Sequence, residues 1–228
     1  MAARAPRPEA GEGRDCVRKR GRPTVLTEAV RRTRLVEAGE AIFLERGYAA
    51  ATMEDVAQKA GMSKKTLYQL FDGKPDLFRA VLRAQIGSMF EAPPEAHDRA
   101  EIAEILCTRL TAFTDLLLTP RQIATTRLIV GEAHREPELA EAFRTEALES
   151  CPTELVAWLD RMSEKGLISV ERTDEAVEIL LGAAIGASTT RMLTSPDPGS
   201  CLEAERKAAA RRVRRAVGVF MVMLDRRL

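Results

Sequence analysis

Residues 52–71, TMEDVAQKAGMSKKTLYQLF, decide how this chain is read. Thr52 is a residue type that caps helices, because its hydroxyl can accept a first-turn backbone N–H that has no partner inside the helix. Asp55, three residues on, stands where an acidic side chain can reciprocate and lie near the positive helix end. Met53, Val56, Ala57 and Ala60 then recur at three- and four-residue intervals, the apolar stripe of a short helix. Gly61 can take the positive φ that a sharp corner between helices demands, and Met62 can fill that corner. Ser63 caps a second helix whose Leu67, Leu70 and Phe71 face inward, leaving Lys64, Lys65, Thr66, Tyr68 and Gln69 outside. Two cations, a hydroxyl, a phenol and an amide suit phosphates and base edges in a major groove. A polar-faced helical hairpin with no nucleic-acid partner has the same pattern, so spacing alone leaves both readings open.

Outward from this unit, apolar positions keep helical spacing almost to the carboxyl end, and no stretch shows the strict alternation of a strand. The expected fold is all-α. Breaker residues divide it into about nine helices. The first, Thr27–Arg46, turns Leu35, Ala38, Ile42 and Phe43 inward and stops at Gly47. Met53–Ala60 and Lys64–Phe71 follow, then a helix from Lys74 that ends before Pro93. The rest are expected at Asp98–Leu118, Arg121–His134, Pro137–Lys165, Thr173–Leu193 and Leu202–Arg226.

Composition narrows the function classes. With 228 residues, 45% hydrophobic and 30% charged, the chain can build one sizeable core or two small ones. No run reaches the roughly 18 apolar residues of a membrane span, and the Arg- and Pro-rich start lacks the apolar core of a secretory signal. A cytoplasmic protein with no membrane partner is expected. Cys16, Cys107, Cys151 and Cys201 lie far apart, and with His97 and His134 they give no metal-ligand spacing and no C-x-x-C pair. Free thiols, no metal and no cofactor are expected. No Gly-rich phosphate loop, H-E-x-x-H or G-x-S-x-G occurs, which argues against an enzyme. The formal net charge of +1 hides an asymmetry: residues 1–74 are net +5 and the remainder net −4. An anionic partner would dock at the amino end, although solvated surfaces also carry such a surplus.

Residues 35–81, LVEAGEAIFLERGYAAATMEDVAQKAGMSKKTLYQLFDGKPDLFRAV, resemble the DNA-binding domain of the tetracycline-repressor (TetR/AcrR) family. Phe43, Gly47-Tyr48, Thr52, Val56-Ala57, Ala60-Gly61, Ser63, Thr66-Leu67-Tyr68, Phe71, Lys74 and Leu77 fall at that family's spacing. The resemblance implies a three-helix DNA-binding head, a helical-bundle body that binds a small-molecule effector, and a homodimer on double-stranded DNA. It implies phosphate contacts by Thr52, Ser63, Thr66, Tyr68 and Lys74, and base contacts by Lys64, Lys65 and Gln69. Three departures stand out: Leu70 where the family has Tyr or His, Gly73 where it has a side-chain cap, and Lys65 where a small residue or Pro is common. Segment 127–170, beginning RLIVGEAHREPELAEAF, also resembles the carboxy-terminal domain of one TetR subgroup.

Ahead of the head, residues 1–15 hold little to bury and are expected to be disordered. Arg20-Gly21-Arg22-Pro23 resembles the core of an AT-hook, in which Arg20 and Arg22 would lie in a narrow minor groove; a solvated basic tail is the alternative. The expected division is a basic arm at 1–23, a helix-turn-helix domain at 24–73, and an effector-binding and dimerisation domain at 74–228.

In the body, Leu110, Phe113, Leu117, Arg127, Val130, His134, Phe143, Trp158 and Met162 are candidates to line a ligand pocket, and plain core is the competing and more ordinary reading of the apolar ones. Leu180, Ala183 and Ala187 share a helical face beside the small residues Gly182 and Gly186, and Val213, Val217, Phe220, Met221 and Leu224 form a second stripe. An intermolecular four-helix bundle would bury both stripes; packing within one chain is the alternative. The expected function is a ligand-responsive homodimeric repressor released from a palindromic operator by a small molecule. An activator of the same fold, an enzyme and an architectural DNA protein are the competing readings.

Overall fold

The computed structural model describes residues 26–87 and 92–224, and its regular elements are all helical. Ten α-helices follow in order among the described residues: α1 (Glu28–Arg46), α2 (Met53–Lys59), α3 (Lys64–Tyr68), α4 (Lys74–Ile86), α5 (Arg99–Leu117), α6 (Pro120–Glu132), α7 (Pro137–Phe143), α8 (Ser150–Glu164), α9 (Thr173–Thr194) and α10 (Leu202–Met223). The arm residues Arg20 and Arg22 lie outside the described residues. One expected element is corrected. The single helix expected over 137–165 is α7 and α8 joined by a π-helical stretch, Arg144–Glu149. That wider turn carries Glu146, which is buried and receives Nε and Nη2 of Arg83 from α4, each at 2.6 Å.

Helices as short as α2 and α3 are not stable alone, because nucleation costs more than one or two turns return. Tertiary burial holds them. Leu35, Ile42 and Phe43 of α1, Val56 and Ala57 of α2, Leu67 of α3 and Leu77, Phe78 and Val81 of α4 form one core, joined by Ile129 of α6 and Leu139 and Ala142 of α7. At its centre the rings of Phe43, Tyr48 and Phe78 meet pairwise with centroids 5.3–5.4 Å apart, tilted or edge to face. Such pairs contribute roughly 0.5–1.5 kcal/mol each beyond the area they bury.

A second core joins α5, α8, α9 and α10 through Leu106, Leu110, Trp158, Met162, Val177, Leu180, Val213, Val217 and Phe220. Trp158 is fully buried and donates its indole N–H to the Pro94 carbonyl at 2.8 Å, so its polar atom is satisfied. α9 is long and apolar enough by composition to cross a membrane, with a mean hydropathy of 1.3. Val177, Leu180 and Ala184 nevertheless commit one of its sides to the core between α8 and α10, and Asp174, Glu175 and Glu178 charge its first turns.

Candidate nucleic-acid interface

The cap at α2 is reciprocal. Thr52 Oγ1 accepts the Asp55 N–H at 3.2 Å, while Asp55 Oδ2 accepts the Thr52 N–H at 3.3 Å and its hydroxyl at 2.7 Å. The Thr52 hydroxyl, aided by Arg46 at 2.7 Å, holds the Asp55 carboxyl below its usual range. The corner is closed by Gly61 at φ 66° and by the Met62 N–H on the Ala57 carbonyl at 2.9 Å. Ser63 Oγ then accepts the Thr66 N–H at 3.1 Å and lies 2.9 Å from the Thr66 hydroxyl.

Complete burial of Leu67 fixes the rotation of α3 about its axis. Lys64, Lys65, Tyr68 and Gln69 are thereby turned to solvent, Tyr68 with 55% of its surface exposed. Behind α3, Arg32 stacks its guanidinium 4.5 Å from the Phe71 ring centroid and donates to the Leu70 carbonyl at 3.0 Å. Leu70 is half-buried against the head core, and α4 starts at Gly73 without a side-chain cap.

The expected base-contacting residues are thus exposed on one helix, but two cations are already engaged. Lys64 pairs with Glu54 of α2. Lys74 donates to the carbonyls of Tyr48 and Ala49 at 2.8 and 3.3 Å and lies 4.3 Å from the Tyr48 ring centroid. The opposite edge of the same two residues is held from the body: Glu132 of α6 accepts the N–H of Tyr48 at 3.2 Å and of Ala49 at 2.9 Å. Gly47, at φ 82°, lets this carboxylate in, since a Cβ there would stand 2.6 Å from Glu132 Oε1. Burial, reinforced by the carboxylates of Glu138 and Glu136, pushes the Tyr48 phenol up, so it stays neutral. No local pattern announces the Glu132 contact, which spans 84 residues, or the Glu54–Lys64 pair, which forms only once the two helices pack with their starts side by side.

Residues 35–81 match the family described as bacterial regulatory proteins of the tetR family, and residues 104–223, more than half of the chain, match the carboxy-terminal domain of AefR-like transcriptional repressors. The chain belongs to the TetR family. Among characterised relatives, the transcriptional activator FasR of Mycolicibacterium smegmatis is 39% identical over 66 residues, 29% of this chain and 30% of that protein. The transcriptional regulator TtgR of Pseudomonas putida is 25% identical over 175 residues, 73% of this chain and 81% of its own length. The solved structure of the flavonoid-responsive regulator FrrA superposes with a TM-score of 0.68 at 22% identity, covering 88% of this chain and all of that one, a likeness of fold. As a TetR-family transcriptional regulator, the chain is a DNA-binding protein and not an enzyme.

The body residues expected to line one pocket are not brought together. Leu110, Trp158 and Met162 are buried in the second core, whereas Phe143 packs on the head core. Val130 is 68% exposed and His134 is exposed, because α6 turns the neighbouring Ile129 inward and ends before His134. Val130 and His134 are therefore removed from any interior site. Arg127 donates to the carbonyls of Met192, at 2.7 Å, and Ser195, tying α6 to the end of α9. Phe113 is buried and Leu117 half-buried on the stretch of α5 between Leu110 of the second core and Leu118 of a small third cluster.

The dimer expectation is corrected in part. Leu180, Val213, Val217, Phe220 and Leu224 are consumed by the chain's own second core, each at most 4% exposed, and Met221 packs partly against it. The helices cross with these residues between them, so the free face is the adjacent one. It carries Ile179 (57% exposed), Val219 (62%), Val222 (57%) and Met223 (42%), with Ala183 and Ala187 exposed beside them. A groove of about 270 Å³ between α9 and α10 opens on this face.

Proposed function

We propose that the chain is a ligand-responsive homodimeric repressor that holds a palindromic operator and releases it when a small molecule occupies its body. The grip of α6 on the head supports this reading. Along one face of α6, Arg121 pairs with Glu40 of α1, Thr125 Oγ1 accepts from Gln85 of α4 at 2.9 Å, and Glu132 clasps the turn after α1. On another face Arg127 bolts the same helix to the end of α9. A helix fastened to both halves carries a repacking of the body into a displacement of the head, and an effector that prefers one packing then changes DNA affinity by that preference.

In this reading residues 24–73 form the DNA-binding head, 74–228 the effector and dimerisation domain, and 1–23 an arm whose Arg20 and Arg22 enter the minor groove. Thr52, Ser63, Thr66, Tyr68 and Lys74 hold phosphates, and Lys64, Lys65 and Gln69 reach bases. Two copies meet through the α9 and α10 face around Ile179, Ala183, Val219 and Val222, which sets two recognition helices on successive major grooves. The effector is an apolar small molecule held among the helices of the body, in keeping with a related fold that bears the name flavonoid-responsive. The protein works in the cytoplasm, with its DNA. FasR is named an activator, which favours a second reading with the same parts and an operator placed to recruit rather than block transcription.

Selection of bound sites from random duplex DNA, followed by a screen for small molecules that release the enriched site, tests the reading. An inverted repeat bound by a dimer and freed by an apolar compound is expected. Enrichment of no repeat, or a monomer on DNA, sinks it.

A further inference from the structure

We propose that Glu54 sets one position of the head's sequence preference, acting with Lys64 as a charge pair that reads a G·C base pair in the major groove. The proposal rests on α3 being the base-reading helix. The corner at Gly61 brings the first turns of α2 and α3 together, and there the Glu54 carboxylate meets the Lys64 ammonium. Their side chains are 65% and 58% exposed, so they pack against little, and an ion pair this wet adds little to the fold. One residue along, Lys65 makes no ion pair among the described residues, so the recognition helix presents one free cation and one that is already balanced.

A carboxylate on a surface that meets a polyanion has few acceptable neighbours. It is repelled by phosphates, and the groups in the major groove that donate to it are exocyclic amines, chiefly cytosine N4. The lysine beside it suits the complementary edge, guanine O6 and N7. A donor and an acceptor held side by side therefore match the two halves of one G·C pair. Away from that pair, Glu54 opposes DNA, because its charge keeps Lys64 from neutralising a phosphate and displacing a counterion. Specificity then comes from a repulsive element as well as an attractive one.

Site selection with the full-length protein and its Glu54→Ala, Glu54→Gln and Lys64→Ala variants, together with titration of random duplex DNA against salt, tests this. The wild type is expected to enrich a G·C pair in each half-site. Glu54→Ala should lose roughly tenfold preference at that position and keep the rest of the site. Glu54→Gln, which retains an acceptor without charge, should share with Glu54→Ala a several-fold gain on random DNA and a salt slope steeper by about one. Lys64→Ala should lose the same base pair. If both Glu54 variants enrich the wild-type site with the G·C pair undiminished, the proposal is overturned. If the wild type itself enriches no defined site, the base-reading role of α3 falls first.

Discussion

Glu132, the last residue of α6, accepts the backbone N–H of Tyr48 at 3.2 Å from 84 positions along the chain. With the Ala49 N–H on the same carboxylate and Lys74 on both carbonyls, the peptide groups of this turn are held from two helices. The turn leads straight into Thr52 and α2, so Glu132 ties α6 to the segment that enters the helix-turn-helix.

Glu132→Ala should cost about 1–2 kcal/mol, less than the roughly 1.5–3 kcal/mol typical of hydrogen bonds to a charged group because water reaches the site. Gly47→Ala should cost at least as much, through strain at φ 82° and collision with the same carboxylate. Denaturant titration gives the stabilities, and hydrogen exchange should accelerate at Tyr48 and Ala49. Unchanged exchange there would show that the clasp holds nothing.

Lys74→Ala and Tyr68→Phe should differ in kind. Loss of Lys74 frees two carbonyls and a cation–π contact, so stability and DNA affinity should fall together, for every sequence alike. Loss of the exposed Tyr68 hydroxyl should weaken DNA binding by about 1 kcal/mol and leave the melting temperature in place. Lys65→Ala or Gln69→Ala should instead change which bases are preferred, by about 1–3 kcal/mol per contact. Melting curves beside binding isotherms on several duplexes separate the three behaviours.

Substitutions on α9 and α10 should divide by face. Ile179→Glu with Val219→Glu, both on exposed positions, should yield a folded monomer with weakened operator binding. Leu180→Ala, in the core one residue away, should cost about 2–5 kcal/mol of stability. Analytical ultracentrifugation and thermal melts report the two outcomes; a dimer that survives the double glutamate change would move the interface elsewhere.

Glu205 should contribute an acid-sensitive part of the stability. Burial pushes its carboxyl up, but Arg191 at 3.0 Å, Ser188 at 2.9 Å and Arg212 outweigh this and hold it below the usual carboxylate range. A carboxyl depressed in the folded state stabilises fully above its unfolded value and loses that contribution as pH falls through the folded one. The stability gap between wild type and Glu205→Gln should therefore be constant near neutrality and narrow below the ordinary glutamate value of 4.5. A gap that is flat through that acid range would contradict the assignment.

The helix-turn-helix was legible because its determinants are local. Thr52 with Asp55, Ser63 with Thr66, and Gly61 at the corner act across three residues or fewer, and such hydrogen bonds depend on spacing that a sequence displays. The stripes of α9 and α10 were legible as buried faces and no further. Helical periodicity says that Leu180, Val213 and Val217 are covered, and only the crossing of the two helices decides that each other's side chains cover them. The π-helical stretch at Arg144–Glu149 escaped for a related reason: its apolar spacing reads as one continuous helix.

By itself the sequence determined an all-helical chain of the TetR family, the capped pair α2 and α3, and the side chains α3 turns outward, since caps, corners and rotational phase are set by neighbours a turn away. Tertiary structure decided that Lys64 faces Glu54, that Lys74 and Glu132 share the turn after α1, and which side of α9 and α10 stays exposed. Those contacts join residues 10 to 84 positions apart, and the distance between such residues is set by how whole helices pack, not by their order in the chain.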